Sequence, residues 1–535
     1  MKKFAFVAAL SACAVTLISL APAQARPDES KRIAPTATLK MGAAVERTPE
    51  QMSAFDATFA SPGQVREVAV RPTMDAAQYA QLKQAAALAP HASSRPGAFA
   101  PDSPLAVVNT KFVGASECDD PYGGCWIPPD VAGSIGKSQF VSVSNDVFQV
   151  RSRGGVLLKH ETLNALFGYG LTPMFDPRVQ WDEEYQRWIV TADSFAVDST
   201  HQYFGIAISK TNSATGAWWI YFLNVTGFAG TSSFYDFPML GMTQDAVLLT
   251  ANIFAPSGSF AGSSIFSVAK ARLYNGFGFS VPVITGLTGT MQTAHQNLTD
   301  QNGYAWYAAA PSNSGAIYMV AESYPANPNL TGFFGYYGVS GVAAYSVPPP
   351  APQPSGCSNT LDTLDNRFQN AGTQNGDVYY QVHTVANGGF SEPRYYVITG
   401  LLTFAPTVSA VADVYANGSS WDFNPSIASD PAGHFGLNWS TTTPAFGFPS
   451  GNAGEHFRDN NPSNPTGSGG LYVFTSASCY NTSGGGTYRW GDYSQVSVDP
   501  GPGTVANTNT KIFWIDNETV PSVNFWSTEI AKITW

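Results

Sequence analysis

From Pro104 onward, apolar residues alternate with polar ones in short runs such as "FVSVSN", "WIVTAD" and "VLLTAN", and each run halts at Gly, Asp, Asn or Pro. Period-two alternation marks strands with one buried face, and the halts mark turns. Seven stretches share one grammar: a polar opener, a short alternating strand, a Gly/Asp/Asn turn, and a second β run. They are "PPDVAGSIGKSQFVSVSN" around Asp130, "FDPRVQWDEEYQRWIVTAD" around Asp176, "YDFPMLGMTQDAVLLTAN" around Asp236 and "TAHQNLTDQNGYAWYAAA" around His295. The others are "DNRFQNAGTQNGDVYYQVHT" around Asn366, "FNPSIASDPAGHFGLNWSTT" around Asn424 and "WGDYSQVSVDPGPGTVANTNTKIFWIDNE" around Asp492. The openers recur every roughly fifty to seventy residues, the length of a four-stranded propeller blade. The expected fold is therefore all-β, a seven-bladed β-propeller. The last motif is followed by a single strand, "FWSTEIAKITW" (525–535), which leaves its blade one strand short. "LAVVNTKFVG" (105–114) stands before the first motif and would complete that blade, closing the ring and removing an exposed edge. Two stacked β-sandwiches with Greek-key turns are the alternative.

Before Pro104 the texture is different. Residues 1–25 have a basic start (Lys2, Lys3), an apolar stretch and a small-x-small end at Ala23-Gln24-Ala25, the pattern of a secretory signal peptide. "LSAC" at 10–13 resembles a lipoprotein box but lies early for the apolar stretch. Residues 26–104 are rich in Ala, Pro, Gln and Ser and carry one helical patch, 74–89. They are expected to be a largely irregular pro-segment or flexible stalk, with the propeller over 105–535. Removal of the leader leaves Cys118, Cys125, Cys357 and Cys479, an even count that suggests two disulfides in an exported chain. Of three connectivities, Cys118–Cys125 with Cys357–Cys479 is favoured. No later stretch is apolar enough to span a membrane. These features predict a secreted or periplasmic protein, taken as a monomer. The net charge of −11 excludes a broad basic face for nucleic acid.

In a propeller the first residue of the innermost strand and the last of the second strand meet at one end of the central channel. That geometry pairs Asp130 with Asn145, Asp176 with Asp193, Asp236 with Asn252, and His295 with Ala310. It also brings Asn366 and Arg367 to His383, Asn424 to Trp439, and Asp492 to Asn517 and Glu518. For any single residue, an Asp or Asn bonding backbone N–H groups of the next turn is the blander explanation. As a set, four opener carboxylates on one ring need a cation, a proton or a polar ligand. Asp130 and Asn145 are candidate ligands for Ca²⁺. Arg178 and Arg187 are available to offset Asp176 and Asp193. Asp459, Asn460 and Asn461 form a polar loop without EF-hand spacing. No GxSxG, HExxH, P-loop or GxGxxG stands in a strand–helix setting. Most tryptophans read as core between blades, with Trp490 a candidate to stack on sugar rings at the mouth.

The segments "PPDVAGSIG", "FDPRVQWDEEYQRW", "DFPMLG" and "RWGDYSQVSVDP" resemble those of a group of secreted bacterial β-propeller proteins, over roughly 128–535. More distantly the chain resembles sialidase-like and other glycan-active propellers. The group itself supplies no activity. The sialidase Asp boxes are absent, although Arg178, Arg367 and Arg489 fall near the mouth as a carboxylate-binding triad would require.

Two functions follow. A glycoside hydrolase would draw its acid and its base or nucleophile from Asp176, Asp236, Asp492 and Glu518, with Glu518 as proton donor beside Trp514 and Trp526. A polysaccharide lyase would use His295 or His383 as base, with Arg367 facing an acidic sugar. Arg178, Asn252, His295, Arg367, His383, Asn424 and Trp490 are the residues expected to bind a polysaccharide. The alternative is a non-enzymatic ligand- or metal-binding propeller. A peptidase or inhibitor with an N-terminal pro-segment is a third reading.

Overall fold

The computed structural model describes residues 25–58, 65–67, 70–92, 106–119, 124–226, 233–297, 300, 302–354, 357, 359–416, 418–443, 454–460, 471–480, 486–501, 511–522 and 525–534. The leader expected over 1–25 lies outside them but for Ala25, as do the side chains of Asp459, Asn460 and Asn461. Strands dominate, and they follow one another as antiparallel meanders. The first meander runs through Ala132–Ile135, Gln139–Ser144, Val147–Ser152 and Leu157–Thr162. The second runs through Met174–Asp182, Arg187–Ser194, Tyr203–Ser209 and Trp218–Asn224. The third runs through Phe234–Met242, Ala246–Phe254, Phe260–Ala269 and Phe279–Leu287. Next, Ala294–Gln296 leads to Tyr304–Ala309, Tyr318–Ser323 and Gly332–Gly338. The chain continues through Gly372–Asn375 to Thr407–Asp413, and through Trp421–Ser429 to Leu471–Thr475. Last come Gln495–Val498, Ile512–Ser522 and Phe525–Thr534.

The short strand Ala294–Gln296 pairs in parallel on both sides, His295 with Met242 and Ala294 to Gln296 with Gly372 to Gln374. It thereby fuses two meanders into a ten-stranded sheet. The first strands of the meanders touch in succession: 132–135 against 174–182, then 234–242, 294–296, 372–375, 421–429 and 495–498, which returns to 132–135. The arrangement is all-β and propeller-like. The strand Val107–Ser116 lies antiparallel on Phe525–Thr534, with Thr110 opposite Lys532.

Layers of large side chains fill the spaces between sheets. Ile189, Phe204, Tyr221, Leu249 and Phe266 form one such layer, and Trp306, Phe368, Tyr379 and Tyr396 another. Each wholly buried side chain of this kind contributes roughly 1.5–3 kcal/mol over exposure. Both disulfides join the expected partners, Cys118 to Cys125 and Cys357 to Cys479, with Cα atoms 4.2 and 5.8 Å apart. No helix among the described residues is long and apolar enough to cross a membrane.

The N-terminal segment is not the irregular stretch that its composition predicts. Arg32–Ile33 pairs with Gly332–Gly338, Ala37–Met41 with Phe279–Leu287, and Val45–Arg47 with Trp218–Asn224. The helix Pro49–Asp56 starts from a capping box between Thr48 and Gln51 and buries Met52 against Leu163 and Leu166. Sheet edges leave N–H and C=O groups unpaired. Short β-prone runs such as "ATLKM" and "VER" satisfy those edges, so a segment with little core of its own is ordered by the core of others.

Candidate functional site

The openers are aimed by a repeated backbone device. Pairing shifts register between Phe175 and Arg178, between Asp236 and Met239, and between Phe423 and Ser426. Each shift contains a residue followed by proline: Asp176-Pro177, Phe237-Pro238 and Asn424-Pro425. Proline cannot donate to the ladder, so the strand bulges there. Asp130, Asp176, Phe237, Leu364 and Asn424 all have left-handed φ, between 46° and 58°. Such geometry costs about 1–3 kcal/mol per non-glycine residue and persists only where the surroundings impose it.

Side chains link one meander to the next at this end. Asn145 donates from Nδ2 to Asp130 Oδ2 (2.7 Å) and accepts from the N–H of Asp176 (2.9 Å). Thr384 Oγ1 accepts from the N–H of Asn424 (3.2 Å), and Asn424 donates to the carbonyl of Gly491. The N–H of Asp492 donates to Asp130 Oδ1 (2.8 Å). Asp176 accepts from the Tyr493 hydroxyl (2.7 Å), and the Arg489 guanidinium pairs with Asp492 at 2.5 Å.

The acids are thus brought to one end of the channel, but not to an open mouth. Asp130, Asp176, Asp236, Asp492 and Glu518 are 0, 3, 8, 9 and 2% exposed. Burial, with Asp492 nearby, pushes the Asp130 carboxyl up to about 6. Burial holds Asp176 well above the carboxylate range, reinforced by Asp130 and Asp236. Asp193 is raised well above that range by burial, then by Asp176 and Asp236, and neither of its oxygens is hydrogen-bonded among the described residues. Glu518 is raised in the same way by burial, Asp130 and Glu117, and its oxygens have no hydrogen-bond partner among the described residues.

Two layers close this end. Beneath the acids, Arg178 lies over the Tyr493 ring (3.2 Å to the centroid), and Tyr493 packs on Phe237 (4.8 Å). Arg367 covers Phe237 from the far side (4.9 Å), and Leu364 completes a septum across the channel. Above it lies the N-terminal segment. Val70 packs on the septum, and Arg71 reaches Asp236 at 3.2 Å and stacks on Phe234. The Arg71 carbonyl accepts from Arg367, and Thr73 donates to Asp365. Asp75 caps the helix Ala76–Ala87 by accepting from the N–H of Gln78, and Lys83 on that helix reaches Thr363 (2.8 Å) and Asp362 (3.6 Å). The cation that the acid ring requires is therefore partly supplied from the segment read as a stalk. A basic residue between apolar neighbours, "VAVRP", was the available signal.

Several expected site residues lie elsewhere or are otherwise engaged. His295 is not an opener. It pairs with Met242, the last residue of its strand, at the opposite end of the channel, and hydrogen-bonds Gln180 (3.0 Å). The inner strand here has only three residues, so the motif's polar opener was placed too late. His383 is a core histidine between the Asn366 carbonyl (2.7 Å) and the Tyr396 hydroxyl (3.1 Å), and burial lowers it to about 3. Trp490 is buried against Tyr480 and Phe423 and donates to Ser440, so it offers no face to a sugar. Asn252 lies opposite Asp236, as the pattern predicts, wholly buried with its amide unpartnered.

Arg367 is bound to Asp365 through two nitrogens, and Arg178 to the carbonyl of Pro238 and the side chain of Asn370. The arginines share an end without forming a free carboxylate-binding triad. Arg187 contacts backbone carbonyls of its own turn, so the partial offset of Asp193 comes from Arg178, as expected, and from Arg71. Asp130 and Asn145 are hydrogen-bonded to each other. Among the described residues no group of three His, Cys, Asp or Glu side chains is placed to hold a metal ion.

Beyond the septum the channel opens at its other end into a cavity of ≈ 300 Å³. Its walls are the far ends of the inner strands, including Trp181, Asp182, Met242, Ile427 and Val498. His295, lowered to about 4 by burial and by Lys270, lines it as a neutral imidazole.

No protein-family model matches the chain, and no curated protein does. Among solved structures, an exo-β-1,3-galactanase from Phanerochaete chrysosporium is similar at 12% identity and a TM-score of 0.30, covering 79% of this chain and 99% of that one. A subtype N10 neuraminidase-like protein (A/little yellow-shouldered bat/Guatemala) is similar at 8% identity and a TM-score of 0.36, covering 62% and 94%. An exo-β-1,3-galactanase from Clostridium thermocellum is similar at 8% identity and a TM-score of 0.30, covering 65% and 78%. No residue role is carried across from any of them.

Proposed function

We propose that the protein is a secreted glycan-active propeller of seven blades, closed by the pairing of 107–116 with 525–534, and that residues 70–92 hold its acid end latent. The substrate class is a polysaccharide, and the reaction is hydrolysis. Glu518 is the proton donor, and Asp492 is the base or nucleophile, with Asp176 and Asp236 beside them as hydrogen-bonding groups. One observation carries this reading: the Arg489 guanidinium that fixes the Asp492 carboxylate also acts on Glu518, a carboxyl that burial pushes upward. A Cβ on Gly491 would lie 3.2 Å from Glu518 Oε2, so the two acids flank one turn. Glycoside hydrolysis needs such a division of labour between two carboxyl groups about 5–10 Å apart.

The test releases the cover by combining Arg71→Ala with Lys83→Ala and measures turnover on neutral and acidic polysaccharides. Turnover should appear in the released form and fall by about a hundredfold or more in Asp492→Asn and in Glu518→Gln. Absence of turnover in both forms would leave the second reading, a non-enzymatic ligand-binding propeller. That reading is favoured by the closure of the acid end and the open cavity at the other.

A further inference from the structure

The segment over the acid end is held by polar contacts rather than by a core of its own. The helix Ala76–Ala87 buries no residue fully, and no strand pairs with residues 70–87 among the described residues. Three polar side chains seat it. The Arg71 guanidinium lies 4.1 Å above the Phe234 ring and 3.2 Å from Asp236 Oδ2. The Thr73 hydroxyl donates to Asp365 (3.2 Å) and accepts from Ser312 (2.8 Å). The Lys83 ammonium donates to the Thr363 hydroxyl (2.8 Å) and the Pro348 carbonyl (3.1 Å) and lies 3.6 Å from Asp362. Each seat suits the charge it holds. An aromatic face beside a carboxylate attracts a cation, and three oxygen acceptors match the three donors of an ammonium.

The seats belong to the propeller and remain when the segment leaves. Asp193 remains with them. It is wholly buried, neither oxygen is hydrogen-bonded among the described residues, and Arg71 is the first of the cations that act on it. The propeller's own arginines are engaged already: Arg178 with Asn370, Arg367 with Asp365, and Arg489 with Asp492. An uncovered acid end therefore has carboxylates in excess of its cations and an open aromatic face. Such a surface selects a positive ligand over a neutral or acidic one. We infer that the acid end binds a polysaccharide of 2-amino sugars with free amines, and that Arg71, Thr73 and Lys83 occupy the places of its ammonium and hydroxyl groups. The inference rests on the reading of this end as a glycan site and names the class of glycan. One protonated amine lies on Phe234 against Asp236, another lies against Asp362 and Thr363, and a sugar hydroxyl replaces that of Thr73. Side chains, not a backbone ladder, seat the covering segment, which favours a glycan over a basic peptide. Because so little of the segment is buried, a ligand with matching charges displaces it by mass action.

The test reads binding, not turnover, by calorimetry on the full-length chain in mildly acidic buffer, where sugar amines are protonated. The parent is compared with the released form, Arg71→Ala combined with Lys83→Ala. The probes are a glucosamine hexamer, its fully N-acetylated counterpart, a galacturonate hexamer and hexalysine. Acetylation removes the charge and keeps the sugar, while hexalysine keeps the charge without the sugar. The glucosamine hexamer should bind the released form about tenfold or more tightly than each other probe does, and the parent about tenfold more weakly than the released form. Adding Asp236→Asn to the released form should weaken that binding by about tenfold, and added salt should weaken it further. If the released form fails to fold, the parent serves. The glucosamine hexamer should then expose Lys83 to trypsin, followed by mass spectrometry, and the acetylated hexamer should not. The inference is overturned if the acetylated or acidic hexamer binds as well, if parent and released form bind alike, or if Asp236→Asn changes nothing. Equal or tighter binding of hexalysine would overturn it in favour of a basic-peptide site. Amine-selective binding without turnover of any polysaccharide would defeat the hydrolase and leave this inference standing. Turnover of a neutral polysaccharide without preference for amines would do the reverse.

Discussion

The two ends of the channel are built from the same set of inner strands, yet they are opposite in character. At the closed end, acids outnumber the cations beside them, backbone is held in left-handed geometry, and a strap from the N-terminus seals the surface. At the open end, Lys270 is paired with Asp182, Lys137 with Glu183 and Arg153 with Asp499, and His295 is a neutral imidazole. Propeller geometry gives both ends convergence. What differs is the order of events along each strand. The closed end is where strands begin, so bulges and proline can aim a side chain before pairing takes over. The open end is where regular pairing is already established, and it delivers side chains with little backbone strain.

If this contrast is real, substitutions at the two ends should differ in size. The largest effect is expected for Arg489→Ala, which strands Asp492 and Asp130 as uncompensated buried acids. Removing one partner of a buried pair costs roughly 3–5 kcal/mol, measurable by urea unfolding. Second is a change in pH dependence. Asp193 is raised in the folded state, so above the ordinary carboxylate range the native chain holds a proton that the unfolded chain has lost. Stability therefore falls as pH rises there, and Asp193→Asn should remove up to about 1.4 kcal/mol of that loss per pH unit. Equal slopes for parent and variant would mean that Asp193 ionises normally. Third, Arg71→Ala should cost about 0.5–1 kcal/mol, since the Arg71 side chain is 27% exposed. The same variant should sharply increase proteolysis within 70–92, followed by mass spectrometry. The smallest effect belongs to the open end. Ser497→Ala removes a hydroxyl that bonds nothing and should shift stability by less than about 0.5 kcal/mol. A loss of several kcal/mol there would erase the distinction between the ends.

The acid end was legible because its device is local. Asp176-Pro177 and Asn424-Pro425 carry the bulge within two residues, and Asp236 opposite Asn252 follows from strand alternation alone. The pairing of 107–116 with the last strand and the two disulfides were legible because counting strands and cysteines left few choices. What escaped was decided at long range. His295 was misplaced because its strand is paired by two neighbouring meanders over only three residues, and three residues carry no period. Trp490 and His383 carry polar atoms that suggested a surface, but Ser440, Tyr396 and the Asn366 carbonyl satisfy those atoms inside the core. The role of 70–92 was hidden most completely. Its helix is Ala-rich with no strong apolar face, so nothing local announces that Arg71 and Lys83 serve acids hundreds of residues away.

The pairing of 107–116 with 525–534 carries a consequence for biogenesis. The outer strand of this sheet is synthesised long before its neighbour. A chain that stops before residue 525 would leave that early strand as a free sheet margin, a template for a second molecule. Contacts this distant in sequence also make folding slow. This sheet therefore cannot lock before 525–534 has been made.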